Sequence, residues 1–321
     1  MGSEESLIVI RYPRSPAAEA FRALRTNIQF SSVDKPVRTL AITSSNPEEG
    51  KSVLAANLAV TMAQLGRSVV IIDADMRRPR QHDIFDLENS RGLSNVILEP
   101  QPDLSTYSWR LTYERLSRRF LESDGEIDIE RDESAWIGDL RVITSGPIPP
   151  NPADLLGSGR MEALIESLKD QADVIIFDTP PVLAVTDAVV LATRVDGVLL
   201  VNDARRTRRG MVRRAVGHLR QVGAPLLGVV LNRVSSSGDG YYTYQHYYGY
   251  GGDKLRARSR SWLNLGRLLP RLASLGKLKR SDNAQRQDSH HPVHTGDPVS
   301  PGTSDEKMSI GKEERKSGQV L

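Results

Sequence analysis

With 321 residues the chain has room for one large α/β domain and appendages, and 43 Lys+Arg against 40 Asp+Glu leave a formal net charge of only +3, which excludes a global field committing it to nucleic acid. The absence of cysteine excludes disulfides and thiolate metal sites, and the six histidines have no zinc-like spacing. No apolar run approaches the roughly 20 residues that cross a bilayer, and no charged-then-apolar leader opens the sequence, so a soluble or membrane-peripheral protein is expected.

Ser15-Pro16 opens a helix expected over 15–32, with Phe21, Leu24 and Ile28 along one face and Glu19, Arg22 and Arg25 flanking that stripe. From Val37 onward short apolar runs alternate with amphipathic segments. Strands are expected near 37–44, 68–73, 141–145, 174–179, 197–202 and 225–232, and helices near 52–65, 154–170, 186–194 and 207–222. Runs such as Val69-Val70-Ile71-Ile72 lack polar alternation, as strands do when helices cover both faces of a sheet. The fold class is therefore α/β, a doubly wound, mostly parallel sheet of the P-loop type with a C-terminal tail. A charged stretch between about 99 and 139 reads as a surface insertion holding a short helix. After Val234 a Ser/Gly run leaves the domain, and the last forty residues have too few large apolar side chains to offset ordering entropy. The expected organisation is 1–35 as an N-terminal segment, 36–236 as the catalytic domain, 237–253 as a tyrosine cluster and 254–321 as a basic, then polar tail.

The first strand runs into Thr43-Ser44-Ser45-Asn46-Pro47-Glu48-Glu49-Gly50-Lys51-Ser52-Val53, followed at once by a helix. A loop in that position wraps a phosphate in backbone N–H groups, adds the positive end of the helix, sends Lys51 to the β- and γ-phosphates and offers the Ser52 hydroxyl to Mg²⁺. Ser45 stands where the motif usually begins with glycine. The next strand ends in Asp73-Ala74-Asp75, two carboxylates at i and i+2 on the sheet edge where ligands of open α/β sheets bind; helix capping and turn formation are the alternative use of such residues. A third strand ends at Asp178, placed like a Walker B carboxylate that holds Mg²⁺ through water. The H-R-D and D-F-G sequences of eukaryotic-type protein kinases are missing, so any kinase chemistry must run on the P-loop.

Six of the nine tyrosines fall in one window: Tyr241, Tyr242, Tyr244, Tyr247, Tyr248 and Tyr250. They follow a Ser/Gly linker and are interrupted by polar residues, unlike a core segment. An aggregation-prone tract or a stacking surface for single strands are alternatives, and a tethered phosphoacceptor cluster fits best beside a P-loop.

Taken together, the helix Glu19-x-x-Arg22-x-x-Arg25, the three Walker-type motifs, Pro149-Pro150-Asn151-Pro152 and the terminal tyrosines resemble the bacterial tyrosine kinases that regulate capsule and exopolysaccharide synthesis, over about residues 15–250. The resemblance implies that ATP is bound by 45–53 and that Ser52, Asp75 and Asp178 hold Mg²⁺. It further implies that Lys51, Asp73 and Asp75 serve catalysis, with Asp73 helping to deprotonate the acceptor. Asn232 is expected to contact adenine by analogy with related P-loop folds. A homo-oligomeric ring with Glu19, Arg22 and Arg25 at its contacts, phosphorylation of the cluster in trans, a membrane-embedded chain-length regulator as activator and a cognate tyrosine phosphatase are implied as well. The expected location is the cytoplasmic face of the plasma membrane.

Glu48 departs from the family, which carries glycine there; if the position needs a positive φ, the cost is on the order of 1 kcal/mol, with a negative charge added beside the phosphates. Residues 254–280 hold nine basic residues and no acidic one, with Trp262 and several leucines among them, a mixture suited to an anionic membrane surface. Phosphates on the neighbouring tyrosines would pair with that stretch or repel the acidic site, releasing a bound subunit. No nucleic-acid partner is expected. Two readings compete: a Min- or Par-type ATPase, whose signature lysine is replaced here by Asn46, and a noncatalytic adaptor that keeps the fold for assembly.

Overall fold

The computed structural model describes residues 7–31, 35–117 and 137–234. The tyrosine cluster and the tail lie outside the described residues. Seven strands form one sheet in the order β3-β4-β2-β5-β1-β6-β7, with β1 Thr39–Ser44, β2 Val69–Asp73, β3 Trp109–Leu111, β4 Leu140–Ile143, β5 Val174–Asp178, β6 Gly197–Asp203 and β7 Leu226–Asn232. Every pairing is parallel except that of the edge strand β3 with β4.

The sequence forms this sheet because its central strands are apolar at consecutive positions and so have two faces to bury. Alternation along β2 shows it: Val69 and Ile71 enter one core cluster, Val70 and Ile72 the other. The first core lies under α3 Lys51–Ala63, with α1 Ile8–Arg11 and α2 Pro16–Gln29 packed outside it. That outer layer explains why α3 is apolar nearly all round: from Leu54 to Ala63 every residue is buried. Polar ties fix the layer, Val9 N–H donating to the buried Asn57 Oδ1 at 3.1 Å and Arg25 Nη1 to the Thr61 carbonyl at 2.9 Å. The second core lies under α5 Leu93–Leu98, α8 Gly159–Lys169, α9 Asp187–Ala192 and α10 Arg209–Gln221, with α4 Gln81–Phe85, α6 Leu104–Tyr107 and α7 Pro152–Leu156 as short connecting helices.

Two expectations change. The helix expected over 154–170 is two helices, because Ser158 adopts an extended backbone and caps α8, its side chain accepting from Met161 N–H at 3.2 Å. The stretch from 99 contains the expected short helix, α6, but Trp109–Leu111 then joins the sheet as β3, too short for alternation to reveal. Among the described residues no helix is long and apolar enough to cross a membrane.

Leu58 sits on α3 with no exposed surface. Leu58→Ala should lower the unfolding free energy by about 2–5 kcal/mol, read from urea denaturation; a loss below about 1 kcal/mol would mean that α3 is not the hub of this core.

Candidate active site

The strand order places β5 between β1 and β2, so the three segments carrying the motifs end side by side. Asp178 pairs in register with Asp73 on one side and Ile42 on the other. The β1–α3 loop closes around φ-positive Gly50 at +91°, a backbone that strains any side chain, and a Cβ there would stand 2.1 Å from Asn232 Nδ2 and displace that side chain from the loop. Glu48 also adopts a left-handed backbone, at φ +63°, so the condition attached to its cost is met.

Around the loop, Ser45, Asn46, Glu49 and Asn232 have defined partners. Ser45 Oγ lies 2.6 Å from Asn202 Oδ1, and Asn46 donates through both its backbone N–H and Nδ2 to the Glu49 carboxylate, each at 3.0 Å. Glu49 is nearly fully buried and also accepts from Thr207 Oγ1, which joins the loop to the turn after β6. Asn232 Nδ2 donates to the Glu49 carbonyl at 3.0 Å, placing β7's end against the loop. Pro47 lies within this turn, and Val53 packs its side chain on the first core from the opening turn of α3.

Lys51 Nζ lies 2.9 Å from Asp75 Oδ2, 3.3 Å from Asp178 Oδ1 and 3.0 Å from Ser52 Oγ. Burial alone would push this ammonium down, but Asp178 and Asp75 outweigh it and hold it above the usual lysine value. Asp73 has no exposed surface: its Oδ2 accepts from the Arg80 and Gln81 amides at 2.8 Å each and its Oδ1 from the Asp75 amide at 3.2 Å. Burial first, and the Asp178 charge second, push its carboxyl up to about 8 against the pull of those amides and of Lys51.

These groups suit a magnesium nucleotide. A hydroxyl and acidic oxygens beside a single ammonium leave a negative donor set of hard oxygens, the kind Mg²⁺ accepts together with phosphates and water. The N-terminus of α3 takes no side-chain cap and has no acidic residue in its first turn, which leaves its amides and positive end for an anion.

Three contributors escaped the sequence reading. Gln81 Nε2 donates to Asp178 Oδ2 at 2.9 Å and to the Ser52 carbonyl at 3.1 Å, bridging the two expected metal-side residues. Arg77 makes a two-pronged contact with the fully buried Asp187, through Nε at 2.8 Å and Nη2 at 3.0 Å, and so fixes the turn carrying Asp75 to α9. Thr207 is the third, through Glu49. Proximity of Arg77 to Asp75 was a usable signal; Gln81 and Thr207 gave none. Away from the site, the α2 residues have partners within the chain: Arg22 pairs with Glu19 and donates to the Pro13 carbonyl at 2.8 Å, and Arg25 holds Thr61 as described.

Residues 40–250 match the family described as CobQ/CobB/MinD/ParA nucleotide binding domain. The chain is 40% identical over 237 residues to the putative tyrosine-protein kinase CapB of Staphylococcus aureus, covering 74% of this chain and 92% of that protein. It is 38% identical over 241 residues to the tyrosine-protein kinase YwqD of Bacillus subtilis, covering 75% and 91% respectively. The solved kinase domain of the Escherichia coli tyrosine kinase ETK superposes with a TM-score of 0.59 at 31% identity, covering 72% of this chain and 83% of that domain.

Asp73 gives a pH signature. Its folded value of about 8 lies above the ordinary 3.8, so the folded state retains a proton that the unfolded state releases. The contribution of Asp73 to stability is therefore greatest below the unfolded value, declines as pH rises toward about 8 and is flat above it. In nucleotide-free protein, denaturation midpoints from pH 5 to 8 should fall for the parent relative to Asp73→Asn; a constant difference would show that the carboxylate is already ionised.

Proposed function

Because the chain belongs to the bacterial tyrosine-protein kinases, carried on a CobQ/CobB/MinD/ParA nucleotide-binding domain, we propose that it binds MgATP at the β1–α3 loop and phosphorylates the tyrosines of its own C-terminal cluster. The observation carrying this reading is the buried Lys51 ammonium set between Asp75 and Asp178 at the uncapped start of α3. Lys51 and the loop amides supply the positive charge that phosphoryl transfer requires. Ser52, Asp75 and Asp178 are the residues that would hold Mg²⁺, which when bound neutralises phosphate charge.

A tyrosine hydroxyl titrates near 10, so its proton must leave as the oxygen bonds to the terminal phosphorus and the bond to ADP breaks. Asp73 is the residue we assign to that proton, acting in its ionised form, whose share grows as pH rises toward about 8. Its carboxylate has no exposed surface and accepts the Arg80 and Gln81 amides, so a hydroxyl gains access to it only if those contacts open. Gln81 meanwhile restrains Asp178, and Arg77–Asp187 restrains the Asp75 turn. Asn232, held against the loop by its bond to the Glu49 carbonyl, is the residue we assign to an adenine contact.

The wider reading follows the family. The chain assembles as a ring in which Glu19, Arg22 and Arg25 exchange their internal partners for a neighbour's, so that one subunit's cluster enters the next subunit's site. A membrane-embedded chain-length regulator activates it at the inner face of the plasma membrane, with a contribution from the basic stretch 254–280, a tyrosine phosphatase resets it, and capsular or exopolysaccharide synthesis is the process governed. The Min- or Par-type ATPase reading is less favoured, because Asn46 replaces the signature lysine and spends its amide on Glu49.

Purified protein incubated with MgATP should acquire phosphotyrosine, mapped by mass spectrometry to 241–250, and Lys51→Ala should reduce the rate at least about a hundredfold. Unchanged labelling in that variant, or labelling confined to tyrosines elsewhere, would overturn the proposal. Glu48→Gly removes a negative charge beside the phosphate loop, so ATP affinity should rise by roughly 1 kcal/mol, about fivefold, in equilibrium titration.

A further inference from the structure

Between Arg205 and Arg220 the chain has seven arginines, no lysine and no acidic residue. All seven are exposed. The guanidinium groups of Arg205, Arg208, Arg209, Arg213 and Arg214 make no hydrogen bond or ion pair among the described residues, whereas Arg233 beside them is spent on Asp203 at 2.7 Å. On α10, Arg209, Arg213 and Arg220 fall at i, i+4 and i+11 and share one stripe, while Ala215 and Leu219 face the core. So many unneutralised like charges repel one another, a cost that persists unless an anion fills the surface.

The surface adjoins the catalytic rim. Thr207, inside the arginine run, bonds to Glu49 of the phosphate loop, and Asp203, two residues before Arg205, pairs across the sheet with Asn232 at the end of β7. From Val234 the sequence needs seven residues to reach Tyr241 and sixteen to reach Tyr250. Extended chain covers about 25 Å and about 55 Å over those distances, more than the roughly 20 Å length of α10. We propose that the arginine surface of the β6–α10 turn and the first turns of α10 binds the phosphorylated tyrosine cluster of the same chain. This rests on the reading of that cluster as the phosphoacceptor.

The chemistry of the surface selects this occupant over a lipid bilayer. Arginine alone, without lysine, provides planar forks that grip phosphate through two parallel hydrogen bonds. No large apolar side chain between 204 and 214 is exposed, so nothing there would insert among acyl chains. Each phosphotyrosine brings about −1.5 to −2 charges, and a tether this short raises the local concentration of the cluster to the millimolar range. Phosphorylated tails held here are withdrawn from neighbouring sites.

The test uses full-length, dephosphorylated protein and synthetic peptides spanning 237–253, either unmodified or phosphorylated at Tyr244, Tyr247 and Tyr248. Fluorescence anisotropy should show the phosphopeptide binding at least about tenfold tighter than the unmodified one. Arg208→Ala/Arg209→Ala/Arg213→Ala should abolish that preference, and the matching Arg→Lys triple should restore only part of it. In phosphorylated full-length protein the peptide should bind at least about tenfold more weakly, because the chain's own tail occupies the surface. Equal binding of the two peptides, an unaltered Ala triple, or undiminished binding to phosphorylated protein would each overturn the inference. So would loss of phosphatidylserine-vesicle binding in the Ala triple while phosphopeptide binding persists, since that assigns the surface to membrane. Because the peptides are synthetic, their failure to bind leaves cluster autophosphorylation standing, and absence of cluster autophosphorylation leaves the binding result readable.

Discussion

A single buried ammonium holds two carboxylates together at the end of the sheet, and the rest of the site is arranged around that contact. Asp75 and Asp178 come from different strands and would repel one another in a space with little water; Lys51 between them turns repulsion into two short contacts. The contact exists because β5 is inserted between β1 and β2, so that residues far apart in sequence end on one edge. Its desolvation cost is bearable only with further hydrogen bonds, which Gln81 supplies to Asp178 and the Arg78 amide to Asp75. A magnesium nucleotide would meet a site that keeps an excess of negative oxygen for the metal, with Lys51 as its one ammonium for the phosphates.

Two glutamates in the phosphate loop have opposite characters. Glu48 sits in a left-handed backbone that disfavours any side chain with a Cβ, and it adds negative charge near the phosphate cradle. Glu49 is structural: its buried carboxylate takes the Asn46 amide and the Thr207 hydroxyl, so the loop is tied to the turn after β6. The loop's shape is therefore partly determined by a residue more than 150 positions away in sequence, and the arginine-rich turn is mechanically part of the catalytic rim.

Much of this was legible in the sequence. Unbroken apolar runs identified the central strands because burial on both faces leaves no polar alternation, and the phosphate loop, Asp75 and Asp178 each follow a strand end where the fold places ligands. What stayed hidden depended on strand order or on very short elements. Nothing local announces that Gln81 will meet Asp178, 97 residues on, or that Asp73 will turn inward to accept amides from the start of α4. The conditional expectation about Glu48 illustrates the boundary: its cost followed from the residue type, but the positive φ that makes it real is set by how the loop closes on Gly50 and Asn232.

The two signs of charge at this edge are segregated. Asp73, Asp75 and Asp178 are buried, where low polarizability makes their mutual effects strong, while the arginines of the β6–α10 turn are exposed and spaced along a helix, where water and salt weaken their repulsion. A neutral tyrosine is free to approach the acidic pocket, because it carries no charge for the pocket to reject. Once phosphorylated, the same side chain is repelled by the carboxylates and drawn to the arginines a few residues beyond the rim. On the proposed reading of the tyrosines as acceptors and of the arginines as their product site, electrostatics alone would distinguish product from substrate, with no change in the shape of the domain required.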